Sequence, residues 1–213
     1  MIYIVLGPAR TGSILLTTII SNFYKNDCEV IFYETTRLPV IDLSKNYIIH
    51  THSKDILDQI AIDPKYITLV ISKRKDIFSS VMSAIIASRT KEYYSYTDNT
   101  VEPFSITCSE FFKIFIDRYL KWYNDINFSL NYHKIATIYY EDFINNYSNV
   151  GTILNLPYIE SYNISSTKSP YNYKDVILNW PELLYLFKCS LEYKKYGFNS
   201  LESYIDAIKL EFS

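Results

Sequence analysis

The stretch "IYIVLGPARTGSILL", residues 2–16, decides the fold. Ile2 to Leu6 is an unbroken apolar run that stops at Gly7-Pro8, the pattern of a short strand buried on both faces. From residue 13 to residue 25 the apolar side chains recur at Ile14, Leu15, Ile19, Ile20 and Phe23, which is helical spacing. Strand, tight loop and helix together predict a βα unit. The chain has only 4 Gly, so a Gly-x4-Gly pair at Gly7 and Gly12 in one loop is informative. Backbone N–H groups in such a loop and at the helix N-terminus converge on one point and favour an anion there. Thr11 and Ser13 add hydroxyl donors, and Arg10 adds a cation.

The rest of the chain repeats the alternation. Further strands are predicted at residues 29–33, 46–52, 66–72 and 134–140, the third of these being the most β-branched. Helices are predicted at 53–60, with Ser53 as cap, at 76–88, at 109–126, with Ser109 as cap, at 141–154 and at 181–195, with a short tail helix after it. Residues 89–103 read as an exposed polar loop or flap. Alternating strands and helices imply an α/β fold: one domain spanning 1–213, three-layer α/β/α, around a central parallel sheet of about five strands. In such sheets ligands bind at the carboxyl ends of the strands. The residues to examine are therefore Arg10 to Ser13, Glu34, His50 and His52, Ser72 to Arg74, and Tyr140 to Asp142.

Composition narrows the function classes. The chain is 48% hydrophobic and 21% charged, hence globular, and its formal net charge of −2 argues against a nucleic-acid binder working by bulk electrostatics. The 22 Tyr read as a compositional bias with many half-buried rings. The 3 Cys, at positions 28, 108 and 189, are too few and too widely spaced for a disulfide framework or a metal site, and are expected to be buried thiols. No signal peptide is evident, and the longest apolar runs fall far short of the roughly 20 residues that cross a bilayer. A soluble, cytoplasmic protein without a membrane span is the expectation.

The loop departs from the common ATP and GTP version, which carries Lys directly after its last Gly. Here Ser13 follows Gly12, and Arg10 lies inside the loop. "ARTGS", residues 9–13, resembles the 5′-phosphosulfate loop of the sulfotransferase family, whose fold is P-loop NTPase-like. Three further segments resemble that family in order along the chain. "HTH", residues 50–52, stands where the cytosolic members have Lys-Thr-His, so His52 matches the base and His50 replaces the Lys. In "SKRKDIFSS", residues 72–80, Asp76 and Ser80 match the 3′-phosphate segment. Strict spacing puts Ser72 where that segment has Arg, which leaves Lys73 or Arg74 to supply the charge. "YEDF", residues 140–143, matches the family's Tyr-Glu-Asp-Leu, with Tyr140 near the adenine. The Arg-Lys-Gly segment that closes over the nucleotide in the cytosolic members is absent, and Lys168 is a candidate to take over part of its work.

The resemblance implies transfer of a sulfuryl group from 3′-phosphoadenosine 5′-phosphosulfate, leaving 3′-phosphoadenosine 5′-phosphate, to a hydroxyl or amine of a small-molecule, glycan or peptide acceptor. It implies His52 as general base and Arg10 on the leaving side. Arg10, Thr11, Gly12, Ser13, Ile14, Lys73, Arg74, Ser80 and Tyr140 would bind the donor, and no metal is expected. Glu34, Thr36 and residues 93–99 would meet the acceptor. Two other readings of the same residues are a P-loop kinase, against which the missing loop Lys counts, and a catalytically silent nucleotide-binding module of the same fold.

Overall fold

The structure is a computed structural model that describes residues 1–25, 27–32, 41–60, 62–90, 101–124, 131–162, 164, 172–197 and 199–211. In chain order its elements are β1 (Ile2–Leu6), α1 (Ser13–Phe23), β2 (Glu29–Phe32), β3 (Tyr47–Thr51), α2 (Ile56–Gln59), β4 (Ile67–Lys73), α3 (Ile77–Thr90) and α4 (Cys108–Phe115). A π turn, Ile116–Leu120, joins α4 to α5 (Lys121–Asn124). Then come β5 (Lys134–Tyr139), α6 (Tyr140–Phe143), α7 (Ser148–Leu154), α8 (Tyr173–Val176), α9 (Trp180–Leu191) and α10 (Leu201–Glu211). The chain divides into two compact units, each built from separated segments: Met1–Lys75 with Asp125–Thr167, and Asp76–Asn124 with Lys168–Ser213.

The first unit carries the sheet. Its five strands are all parallel, in the order β2-β3-β1-β4-β5. The chain is thus α/β with a parallel sheet, as the alternation predicts. The inner strands β1 and β3 are buried at every position, which is why they read as continuous apolar runs. The edge strands β2 and β5 alternate or expose residues instead. Leu15, Leu16, Ile19, Ile20 and Phe23 of α1 and Val150 and Leu154 of α7 pack on Tyr3, Val5, Ile48, Val70, Ala136 and Ile138 of the sheet. Leu16, Ile19 and Ile20 are fully buried, each contributing about 1.5–3 kcal/mol over an exposed side chain.

The connections fix where a ligand would sit. From β1 the chain runs to β2 on one side of the sheet, and from β4 it runs to β5 on the other, while β1 and β4 are neighbours. Their carboxyl ends therefore flank a topological switch point, the usual ligand crevice of parallel sheets.

The second unit is helical. Phe78 of α3, Phe111, Phe112 and Phe115 of α4 and Phe187 of α9 form its aromatic centre, with ring centroids 5.2–6.4 Å apart and mostly edge-to-face. The Asn179 side chain accepts from the Ile106 N–H and donates to its carbonyl, at 3.0 and 2.8 Å.

Several boundaries differ from the sequence expectation for local physical reasons. The helix predicted at 109–126 is capped by Thr107, whose hydroxyl accepts from the Glu110 N–H at 3.1 Å, so it starts before Ser109 and then passes through the π turn. The helix predicted at 141–154 is two, α6 and α7. It breaks where the Asn146 side chain accepts from the N–H and hydroxyl of Ser148 and so offers the backbone a competing turn. The short helix predicted from Ser53 begins at Ile56, with Asp55 at its cap position. Of the cysteines only Cys108 is buried; Cys28 and Cys189 are half-buried, and none of the three is in a disulfide. Among the described residues no helix is long and apolar enough to cross a membrane.

Candidate functional site

The loop after β1 is held from three directions. Arg10 and Gly12 both have left-handed backbone, with φ of 71° and 82°. That conformation costs a non-glycine residue about 1–2 kcal/mol, and such strain clusters where ligands are handled. Gly12 stands at the N-cap position of α1, no side chain caps that end, and no acidic residue lies in its first turn. The positive end of the helix dipole is left for something else to neutralise. Arg10 and Ile14, on either side of this point, are half-buried.

From the β4 side, the Ser72 hydroxyl donates to the Thr11 carbonyl at 3.0 Å. Ser72 is fully buried. Gly7 runs so close to it that a β-carbon there would lie 2.8 Å from the Ser72 carbonyl oxygen and 2.9 Å from its Cβ. The position where the family has Arg is thus a packing position. A long cation has no room there. Thr11 is also fully buried, and its hydroxyl donates to the Pro8 carbonyl at 2.8 Å. What it offers the loop mouth is its backbone.

From the β3 side, two imidazoles reach the loop. His52 follows the last residue of β3, and its Nδ1 lies 2.5 Å from the Gly7 carbonyl oxygen. A carbonyl only accepts, so Nδ1 carries the hydrogen. In the neutral ring Nε2 is then the basic nitrogen. His50, two residues earlier, is 1% exposed and its Nε2 lies 2.9 Å from Ser13 Oγ. The two rings meet edge-to-face at 4.8 Å, and Phe32 of β2 closes the other side of His50 at 5.3 Å.

The third wall is Tyr140, the first residue of α6. Its ring lies against Gly12, where a β-carbon would come 2.5 Å from Tyr140 Cδ2. The Arg74 guanidinium stacks on the same ring at 4.3 Å from its centroid. Burial raises the Tyr140 pKa, with Arg74 opposing that rise, so the phenol stays neutral through physiological pH. Arg74 Nε is buried with no hydrogen-bond partner among the described residues. Lys75 fixes the neighbouring backbone: its N–H donates to Glu141 at 2.9 Å, and its ammonium pairs with Asp142 and lies over the Tyr139 ring. The acidic pair after Tyr140 therefore anchors the end of β4.

The structure brings Arg10, Thr11, Gly12, Ser13, Ile14, His52, Arg74 and Tyr140 together at the carboxyl ends of β1, β3, β4 and β5. Lys73 closes β4, half-buried. Ser80 belongs to the second unit, where it is fully buried with its hydroxyl 2.7 Å from Tyr119 Oη. Asp76 in that unit accepts from the N–H and hydroxyl of Ser79. Glu34, Thr36, residues 93–99 and Lys168 lie outside the described residues. Among the described residues no group of three or more His, Cys, Asp or Glu could hold a metal ion. The brace from His50 to Ser13 and the stack of Arg74 on Tyr140 were not foreseen from the sequence. No protein-family model matches the chain, and no curated protein or solved structure is significantly similar to it.

Proposed function

We propose that the chain is a sulfotransferase that uses 3′-phosphoadenosine 5′-phosphosulfate, with His52 as general base. The observation that carries this reading is the 2.5 Å bond from His52 Nδ1 to the Gly7 carbonyl. It fixes the tautomer of an imidazole whose other nitrogen, Nε2, is the basic one, and it ties that imidazole to an anion-type loop. The finer fold reading, a three-layer α/β/α and P-loop-like domain, belongs to the same proposal, as does a cytoplasmic setting.

The residues present fit the loop half of such a donor. A helix N-terminus without an acidic neighbour, the Gly12 cradle that a β-carbon would fill, and Arg10 suit a phosphosulfate. The buried, unpartnered Nε of Arg74, carried on the Tyr140 ring, suits a second phosphate beside a base. Arg10, the N–H groups of Thr11 to Ile14 and the Ser13 hydroxyl would hold the sulfated end. Arg74 or Lys73 would hold the other phosphate, with Tyr140 against the base. When bound, the donor supplies a sulfuryl group whose bond to the bridging phosphate oxygen breaks as its bond to the acceptor forms.

The chain's own residues then do three things. His52 Nε2 takes the proton of the attacking hydroxyl or amine, while Nδ1–H stays on Gly7 and keeps the ring from turning. Arg10 and the α1 N-terminus stabilise charge gathering on the leaving phosphate. Ser72 and Thr11 hold the loop in shape so that these donors need not reorganise. The acceptor is a small molecule, a glycan or a peptide.

A transfer screen with sulfur-labelled donor across those acceptor classes tests the proposal, with ATP and Mg²⁺ run in parallel. Label transfer from the sulfate donor alone supports it; phosphoryl transfer from ATP replaces it with the kinase reading. A silent donor-binding module is the second reading, favoured by the buried His50 standing where the family has Lys. It predicts saturable donor binding with no transfer to any acceptor.

A further inference from the structure

We infer that His50 is a positioning residue for the loop: the proton state of its Nε2 sets whether the Ser13 hydroxyl turns its hydrogen inward or toward an anion held by the loop. The inference rests on the loop being an anion site, as proposed above. Ser13 Oγ has one hydrogen to give. His50 Nε2, 2.9 Å away, either accepts it or donates its own to the oxygen. With the loop empty, either arrangement keeps the bond between Nε2 and Ser13 Oγ.

An anion at the α1 N-terminus removes that freedom. If Ser13 donates inward to Nε2, it turns lone pairs toward the anion. If Nε2–H donates to Oγ, the hydroxyl hydrogen is released for the anion, and the bond gains the strength of a charge-assisted one. Occupancy therefore selects the Nε2–H form of His50. The ring has little room to evade the choice, because it is 1% exposed and pressed between Phe32 at 5.3 Å and His52 at 4.8 Å. A Lys at this place would donate whatever the loop held; the imidazole makes the donation conditional.

The test is a titration of the full chain, labelled with ¹⁵N in its 3 His, with 3′-phosphoadenosine 5′-phosphate and separately with inorganic sulfate. Long-range nitrogen–proton spectra then read which ring nitrogen of His50 is protonated. Saturation is expected to leave His50 in the Nε2–H form, and Ser13→Ala is expected to abolish that selection. His50→Gln, which keeps an N–H near the Nε2 position, should retain the affinity for 3′-phosphoadenosine 5′-phosphate, and His50→Leu should lose at least about tenfold. Where His50→Leu does not fold, the Ser13→Ala spectra decide. Saturation that leaves His50 in the Nδ1–H form, or full affinity in a folded His50→Leu chain, overturns the inference alone. A wild-type chain that binds neither probe overturns the anion-site reading and this inference with it.

Discussion

Tyr140 occupies the space that a side chain on residue 12 would need: a β-carbon on Gly12 would lie 2.5 Å from Tyr140 Cδ2, and φ at Gly12 is 82°. The loop and the start of α6 are therefore built on the absence of one methyl group. Gly12→Ala meets two separate costs, a left-handed backbone of about 1–2 kcal/mol and a clash that must move an aromatic ring. Thermal unfolding should show a clear loss of stability. Adding Tyr140→Ala should return only the clash part, because the backbone cost stays. If the double variant is no more stable than expected from adding the two single effects, the two residues are not coupled in this way.

Ser72 argues for a structural cause behind a mismatch in sequence. Its hydroxyl bond to the Thr11 carbonyl is buried, so Ser72→Ala should cost about 1 kcal/mol, read from a denaturant midpoint. Ser72→Arg, which restores the spacing of the sulfotransferase segment, should not repair the site. The side chain would enter a fully buried place, packed so closely against Gly7 that even a β-carbon added there would lie 2.9 Å from Ser72 Cβ. The expected result is a chain that unfolds at lower temperature and binds 3′-phosphoadenosine 5′-phosphate no more tightly. A stable Ser72→Arg chain with improved binding would reverse this account.

His52 separates anchoring from chemistry. His52→Asn keeps an N–H donor close to the Nδ1 position and so can hold the Gly7 carbonyl, but it has no basic nitrogen. Its stability should stay near wild type while turnover in a single-turnover transfer assay falls at least about 10²-fold. His52→Ala should lose both the activity and about 1 kcal/mol of stability. An Asn variant that turns over at the wild-type rate removes His52 from the base role.

The strands and α1 were legible because their patterns are periodic and uninterrupted. The loop was legible because its Gly spacing, in a chain with so few Gly, has a backbone reason. Thr107 escaped notice as a cap although Thr107-x-x-Glu110 is the capping pattern, because the polar Ser109 lay closer to the apolar run. The bond from His50 to Ser13 was not readable, since it depends on β3 lying beside β1 in the sheet order. Ser80 matched a family spacing, yet spacing along a helix does not say where a hydroxyl finds its partner, and here it finds Tyr119. Lys73 and Arg74 were equivalent in sequence; what separates them is the Tyr140 ring under Arg74.

That difference makes a direct forecast. Arg74→Ala should weaken binding of 3′-phosphoadenosine 5′-phosphate by at least about tenfold, the scale of one lost charge-assisted contact. Lys73→Ala should have a smaller effect, and Arg74→Lys should not restore binding, because a point charge replaces the planar fork that stacks on Tyr140. Calorimetric titration of the three variants measures this. Equal losses for Lys73→Ala and Arg74→Ala would mean that the stack on Tyr140 does not mark the phosphate ligand.

The pair formed by Tyr3 of β1 and Tyr24, the half-buried residue that follows α1, sets an alkaline limit on stability. Tyr24 Oη donates to Tyr3 Oη at 3.0 Å. Burial is the main cause that raises both phenols above the ordinary tyrosine value, and for Tyr24 the bond to Tyr3 adds to it. Below about pH 10 both residues are protonated in the folded and unfolded chain alike and add no pH dependence. Above it the unfolded chain loses those protons first and binds fewer than the folded one, so stability falls as pH rises. Tyr3→Phe with Tyr24→Phe removes both groups from that balance. Denaturant midpoints taken from about pH 8 to 11 should fall less steeply for the double variant than for wild type. Parallel curves would show that the alkaline loss comes from groups other than Tyr3 and Tyr24.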